Sequence, residues 1–266
     1  MVTGAYDRLT ELTPFFRYSE VDFIVKLHNI RWWATPILLY LPREIRNRTY
    51  HGPLHSHNVL TYLKELVEIS GRFGFKPNEV ELFVLEASAW LHDTGFIIPD
   101  EGKHALHSMR LVKKFGKKYF LLDSAERKVI SWVCTSHSHD FPLEQVPPML
   151  RLHRKNVRTQ ILAAIFSLAD ACDIHTKRAP EIVFEIIKDE LKRYSRKSVR
   201  HWRANQSVDA VFFSEKEEAI FINALSLKYA HEAKKLLQKE LKRVLSILGD
   251  WFPLKKVKLT QIFGPP

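Results

Sequence analysis

The sequence predicts an all-α protein, mainly helical, that carries a small C-terminal β-hairpin and a terminal helix. Three observations predict it. Apolar residues recur at spacings of three and four through most of the 266 residues, and prolines and glycines fall between those stretches. Only one pair of alternating β-branched and aromatic runs, Val208–Phe213 and Ala219–Ile222, breaks the pattern, split by a polar SEKEE turn.

Taken in order, Tyr18 to Trp33 has helical spacing, and the chain then turns or breaks at Pro36 and Pro42. Leu54 to Ile69 repeats apolar residues at Val59, Tyr62, Leu63, Leu66 and Val67, a helix with one buried face, ended by GRFGFKPN. Glu79 to Leu91 is apolar nearly all round and should be central. A loop with Pro99 leads to a helix from His104 to Phe115, stopped at Gly116. Asp123 and Glu126 have the spacing of a capping box and open a helix that reaches Cys134. Prolines 142, 147 and 148 mark a loop before a strongly apolar helix from Val157 to Ile174. Beyond Pro180 come a helix from Glu181 to Tyr194, the hairpin, and a last helix from Ser226 to Leu248. With no low-complexity linker and no repeat, residues 1–180 read as one helical unit with 181–266 packed on the same domain.

Composition excludes several classes. Two cysteines, Cys134 and Cys172, are too few and too far apart for a disulfide scaffold or a CxxC zinc knuckle, which suits a reducing cytoplasm. No run approaches 18 apolar residues, and the opening MVTGAYDRLTELTPFF has acids where a leader needs a basic start, so no membrane partner is expected. Nine glycines argue against phosphate-loop nucleotide folds. The net charge of +11 is spread over several helix faces, densest from Lys188 to Arg203, with no zinc-finger, RNA-binding or Walker signature. A small anionic, phosphate-bearing substrate fits this charge best, and a nucleic-acid surface is the weaker alternative. A homo-oligomer stays open.

The thirteen histidines are the unusual count, and several stand with acids at the edges of apolar helices. His55 begins one such helix; His92 and Asp93 close another, before a Thr-Gly turn. Asp170 lies inside ILAAIFSLADACDIH, where an unpaired carboxylate costs several kcal/mol to bury, and no Lys or Arg stands one turn before it. A metal is the natural partner. Imidazole and carboxylate donors suit divalent Mn, Fe, Ni, Co, Zn or Mg, one or two per chain, whereas a thiolate site lacks the cysteines.

These elements resemble the HD superfamily of metal-dependent phosphohydrolases. YHGPLHSHNV carries H-S-x-x-V through His55, Ser56 and Val59; ASAWLHDTGF carries the His92–Asp93 doublet; SLADACD carries Asp170, with Asp173 as a supporting carboxylate. The resemblance covers residues 45–180 and, more loosely, the entire chain. It implies that His55, His92, Asp93 and Asp170 bind metal. It adds two intermediate histidines for a second ion or for substrate phosphate. His104 (H-x-x-x-S with Ser108) competes with His107 for the first place, and His137 with His139 for the second. Around His51 and His55 the chain is also similar to cyclic nucleotide phosphodiesterases, departing at Gly52 and Asn58, which makes His51 a candidate acid for the leaving oxygen. His28, His153, His201 and His231 read as ordinary surface or structural residues, His57 faces solvent or the substrate mouth, and Arg178, just after the Asp170 helix, is a candidate for the cleft.

The resemblance therefore implies a phosphohydrolase in which metal-activated water attacks a phosphomonoester or phosphodiester, with a nucleotide as first substrate and His51, Asp93, His104 and His137 as catalytic groups. The other readings are a non-catalytic nucleotide-sensing module and a di-iron oxygenase.

Overall fold

The computed structural model describes residues 14–44, 48–99 and 102–261. Nine α-helices are present among them: α1 (Val21–Glu44), α2 (Pro53–Arg72), α3 (Glu79–Leu91), α4 (His104–Phe120), α5 (Ser124–Ser136), α6 (Thr159–Cys172), α7 (Glu181–Tyr194), α8 (Arg196–Gln206) and α9 (Leu227–Leu248). Two small sheets accompany them. β1 (Leu150–Leu152) and β2 (Lys155–Val157) form a hairpin, and β3 (Val208–Ser214), β4 (Ala219–Ala224) and β5 (Lys256–Thr260) form a three-stranded sheet in that order.

Helix α3 sits at the centre, as its all-round apolarity predicts. Every residue from Phe83 to Leu91 is buried, and α1, α2 and α5 all pack on it. One contiguous core joins α1 to α6 with α9 and β5: Phe23, Phe83, Phe166, Leu237, Leu241 and Val257 belong to the same cluster. Ala179, Phe184, Leu191 and Trp202 form a second, small cluster that fastens the α7–α8 pair beside the turn Thr176–Arg178.

Four expectations need correction. Helix α1 does not break at Pro36 or Pro42. The helix runs on to Glu44, its buried stripe Phe23, Leu27, Ile30, Ala34, Leu38 and Leu41 continues past Pro36, and Pro36 is exposed, so the Trp32 carbonyl that it leaves unpaired can be hydrated. Nor does Gly116 stop α4. A Cβ there would meet Arg127 Cγ and Cδ at 2.8 Å, so this glycine lets α5 pass close by, and the helix ends at Leu121 in the left-handed region, φ 59°. Val157 belongs to β2, and α6 begins two residues later.

The fourth correction lies in the C-terminal part. The helix expected from Glu181 to Tyr194 is α7, and an unexpected further helix, α8, follows it, because the Ser195 side chain accepts from Lys197 N and caps α8. The expected hairpin is present, with Val211 opposite Ile222. It gains β5, which lies parallel to β4 with Ile220 opposite Val257. A parallel neighbour requires a crossover, and α9 is that crossover. Its buried face runs along α6.

Candidate metal centre

Three helix ends and one helix face converge. His55 comes from the first turn of α2, His92 and Asp93 from the C-terminal end of α3, His137 from the C-cap of α5, and Asp170 from the last turn of α6. The His55 Nε2 lies 3.1 Å from Asp170 Oδ1, 3.2 Å from His92 Nε2 and 3.3 Å from Asp93 Oδ2. His92 Nε2 is 3.2 Å from Asp93 Oδ2 and 3.6 Å from Asp170 Oδ1. The other Asp93 oxygen faces a second pair: His104 Nε2 at 3.8 Å and His137 Nε2 at 3.6 Å, themselves 2.8 Å apart.

The donors fit a cation. His55 Nδ1 donates to Asp173 Oδ2 (2.6 Å), His92 Nδ1 to the Ala89 carbonyl (3.1 Å), and His137 Nδ1 to the Cys134 carbonyl (2.6 Å). Each such bond fixes the tautomer and turns the Nε2 lone pair toward the cluster, the arrangement a bound ion requires. Imidazole nitrogens that face one another at hydrogen-bond distance are mutually repulsive as bare lone pairs, and Asp93 Oδ2, fully buried, has no aligned hydrogen-bond partner among the described residues. His55, His92, Asp93 and His137 are buried. The side chains of Asp170 and His104 stay 20% and 16% exposed, which sets the side from which a ligand can enter.

Electrostatics follow from the crowding. Burial and Arg178 pull the His55 imidazole down, but its contacts with Asp170, Asp173 and Asp93 overcome both and carry it up to about 10. His92 is likewise lowered by burial, and raised by more, to about 9, by the charge of Asp93 and the contact with Asp170. Burial raises Asp93 and Asp170, yet the imidazoles around them hold both carboxyls well below the usual range. His104 is different. Burial and the neighbouring His137 push it down to about 3.

Supporting residues explain the sequence pattern. A Cβ on Gly95 would collide with the His104 carbonyl and with Ser108, so glycine two positions after Asp93 is what lets the first turn of α4 descend on the doublet. Ser108 Oγ accepts from Gly95 N (2.8 Å) and donates to the His92 carbonyl, tying α4 to the end of α3. Asp173 also accepts from Asn58 Nδ2 (3.0 Å), lies 3.0 Å from His175 Nε2, and takes Arg178 Nη1 on its backbone carbonyl (2.6 Å).

The open pairs thus resolve by position. His104 and His137 face the cluster. His107 lies buried behind α4, 3.5 Å from Arg110, and the exposed His139 reaches Glu240. His51 stands beside the cluster, its ring 5.5 Å from His55, with Nδ1 donating to the Thr49 carbonyl. Burial and Arg178 push its imidazole well below 6.5.

Sequence reasoning named Arg178 for the cleft but missed Arg48 and His201. Arg48 lies 5.3 Å over the Phe96 ring, which stacks on His104 at 3.9 Å. His201 of α8, read as an ordinary surface residue, is exposed but stands among cationic groups. There partial desolvation and the charges of Arg178, Arg48, His139 and Lys197 pull it down to about 4. Nothing local in the sequence links residue 201 to residues 48 and 178. A further acidic group, Asp123, Glu126 and His153, is a structural knot: Asp123 caps α5, and Lys26 Nζ already sits 2.8 Å from Glu126.

Fold and cluster define the class, a helical protein with a buried His/Asp centre suited to divalent cations. Residues 38–253, most of the chain, match the family model HD-CE, and the chain belongs to that family of HD-domain proteins. No curated protein matches it. The match lends nothing to the narrower likeness to cyclic nucleotide phosphodiesterases around His51. Family and cluster together point to metal-dependent, hydrolase-like chemistry. Among the described residues no helix is long and apolar enough to cross a membrane.

Proposed function

We propose that the chain is a metal-dependent phosphohydrolase acting on a small phosphomonoester or phosphodiester, with a nucleotide as the first substrate class to test. His55, His92, Asp93 and Asp170 would hold one divalent ion, and Asp93, His104 and His137 a second. The observation that carries this reading is the Asp93 carboxylate, which turns one oxygen to each pair of imidazoles. Divalent ions held there would supply Lewis acidity toward a phosphoryl oxygen and a lowered pKa for water.

The chain's own groups do the rest. Asp173, Asn58 and Arg178 orient His55. Arg48 and Arg178, whose charges reach His201, would make the open side favourable to a phosphate. His51 enters neutral, with Nδ1 spent on Thr49. It therefore takes a proton at Nε2 before it can pass one to a leaving oxygen.

The test combines elemental analysis of the purified protein with hydrolysis of an aryl phosphate, an aryl phosphodiester and a nucleotide panel under Mn²⁺, Ni²⁺, Co²⁺, Zn²⁺ and Mg²⁺. Stoichiometric metal and activity in the native chain, both lost in His92→Ala and Asp170→Ala, are expected. Full activity in those two variants would sink the reading.

A further inference from the structure

Helix α9 buries a carboxylate within its apolar stripe. Ala233, Leu237, Leu241, Val244 and Leu248 face the core, and Glu240, on the same face, is 1% exposed. An ionised group there is stable only if its lone pairs are filled. Glu240 Oε1 accepts from Ser167 Oγ at 2.6 Å and from Arg243 Nη2 at 2.7 Å, and Oε2 accepts from His139 Nδ1 at 2.8 Å. Arg243 continues the network. Its Nη1 donates to the Phe141 carbonyl and its Nη2 to the Ser136 carbonyl, both at 3.0 Å, and Nη2 also reaches Ser167 Oγ.

The partners matter for where they stand. Ser136 and His139 flank His137, and the Ser136 carbonyl shares a rigid peptide plane with the His137 nitrogen, so fixing one fixes the other. Ser167 lies one turn before Asp170 on the same face of α6. Two side chains of α9 therefore grip the turn that carries His137 at three points and the helix that carries Asp170 at one.

We propose that Glu240 and Arg243 are positioning residues of the metal centre, holding His137 and Asp170 in register by clamping α5, α6 and the 136–141 turn to α9. The clamp rests on the metal-centre reading above. It touches no ligand atom, so its effect is on the placement of ligands.

The experiment measures Mn²⁺ affinity by calorimetry and by the loss of the free-ion electron paramagnetic resonance signal, using the full chain with Glu240→Gln, Arg243→Lys, Ser167→Ala and Ser167→Thr. The control is Arg158→Met, which breaks the half-buried pair of Arg158 with Glu81 (2.6 Å), the latter eleven residues before His92 on α3. Both Glu240→Gln and Arg243→Lys are expected to weaken Mn²⁺ binding about tenfold or more. An ammonium cannot make the guanidinium's forked contacts, so charge conservation does not rescue Arg243→Lys. Ser167→Thr, with its hydroxyl, keeps the native affinity that Ser167→Ala loses, and Arg158→Met lowers the melting temperature without moving Mn²⁺ affinity. Native affinity in Glu240→Gln and Arg243→Lys, with only a lowered melting temperature, overturns the clamp and leaves the metal reading standing. Should those two fail to fold, equal affinities in Ser167→Ala and Ser167→Thr overturn it instead. A native chain that binds neither Mn²⁺ nor, by the same calorimetry, Ni²⁺, Co²⁺, Zn²⁺ or Mg²⁺ overturns both.

Discussion

At the scale of single residues the proposed metal reading makes the centre a proton–metal exchanger. Carboxylate contacts hold His55 protonated to about 10 and His92 to about 9, whereas an ion needs both Nε2 lone pairs. Below those values the imidazoles are charged, so loading near pH 7 must expel protons. Affinity should then rise with pH until about 9 to 10 and level off. Calorimetry in buffers of different ionisation enthalpy is expected to register release of about two protons per chain loaded. Loading with no release would exclude His55 and His92 as ligands. The residues in this exchange were legible because each sits in a short local pattern. The glycine after Asp93 and the serine after His104 mark the close approach of α4 that brings His104 in. Glu240, Arg243 and His201 were not legible, since the partners that define them lie on other elements, Ser167 73 residues and His139 101 residues from Glu240. Glu240 alone left a trace: an acid on the apolar stripe of α9, the same signal that singled out Asp170.

At the scale of elements, burial decided where local preference misled. Pro36 reads as a break, yet Leu38 and Leu41 beyond it are fully buried, and their burial offsets a cost of about 3 kcal/mol for proline inside a helix. Because Pro36 is exposed, Pro36→Ala restores a backbone donor without disturbing the core. It should raise stability by about 1–3 kcal/mol in chemical denaturation. A variant less stable than the native chain would mean that the proline shapes α1 in a way its burial pattern does not reveal. Gly116 misled in the same sense, because only a helix crossing, invisible in the local sequence, distinguishes a contact glycine from a stop. β5 was missed for a related reason: its alternation, KVKLT, is short, and its partner β4 is reached only through α9.

At the scale of the whole molecule, residues 181–266 complete the core that 1–180 begin. α9 covers α6, and Leu237 and Leu241 share a cluster with Phe166 and Val84. A chain ended at residue 180 keeps every candidate ligand but exposes the apolar face of α6. It should aggregate or bind a hydrophobic dye, and should hold Mn²⁺ poorly. A soluble 1–180 chain with native affinity would show instead that the C-terminal part is an independent unit.

The grip of α9 on His137 and Asp170 also sets an order in time. His139 and Glu240 are 101 residues apart, and such distant pairings form late. During translation the last of the six imidazoles and carboxylates, Asp170, is made before Arg243 exists. A nascent chain thus presents all six donors before the proposed clamp that would set two of them in place exists.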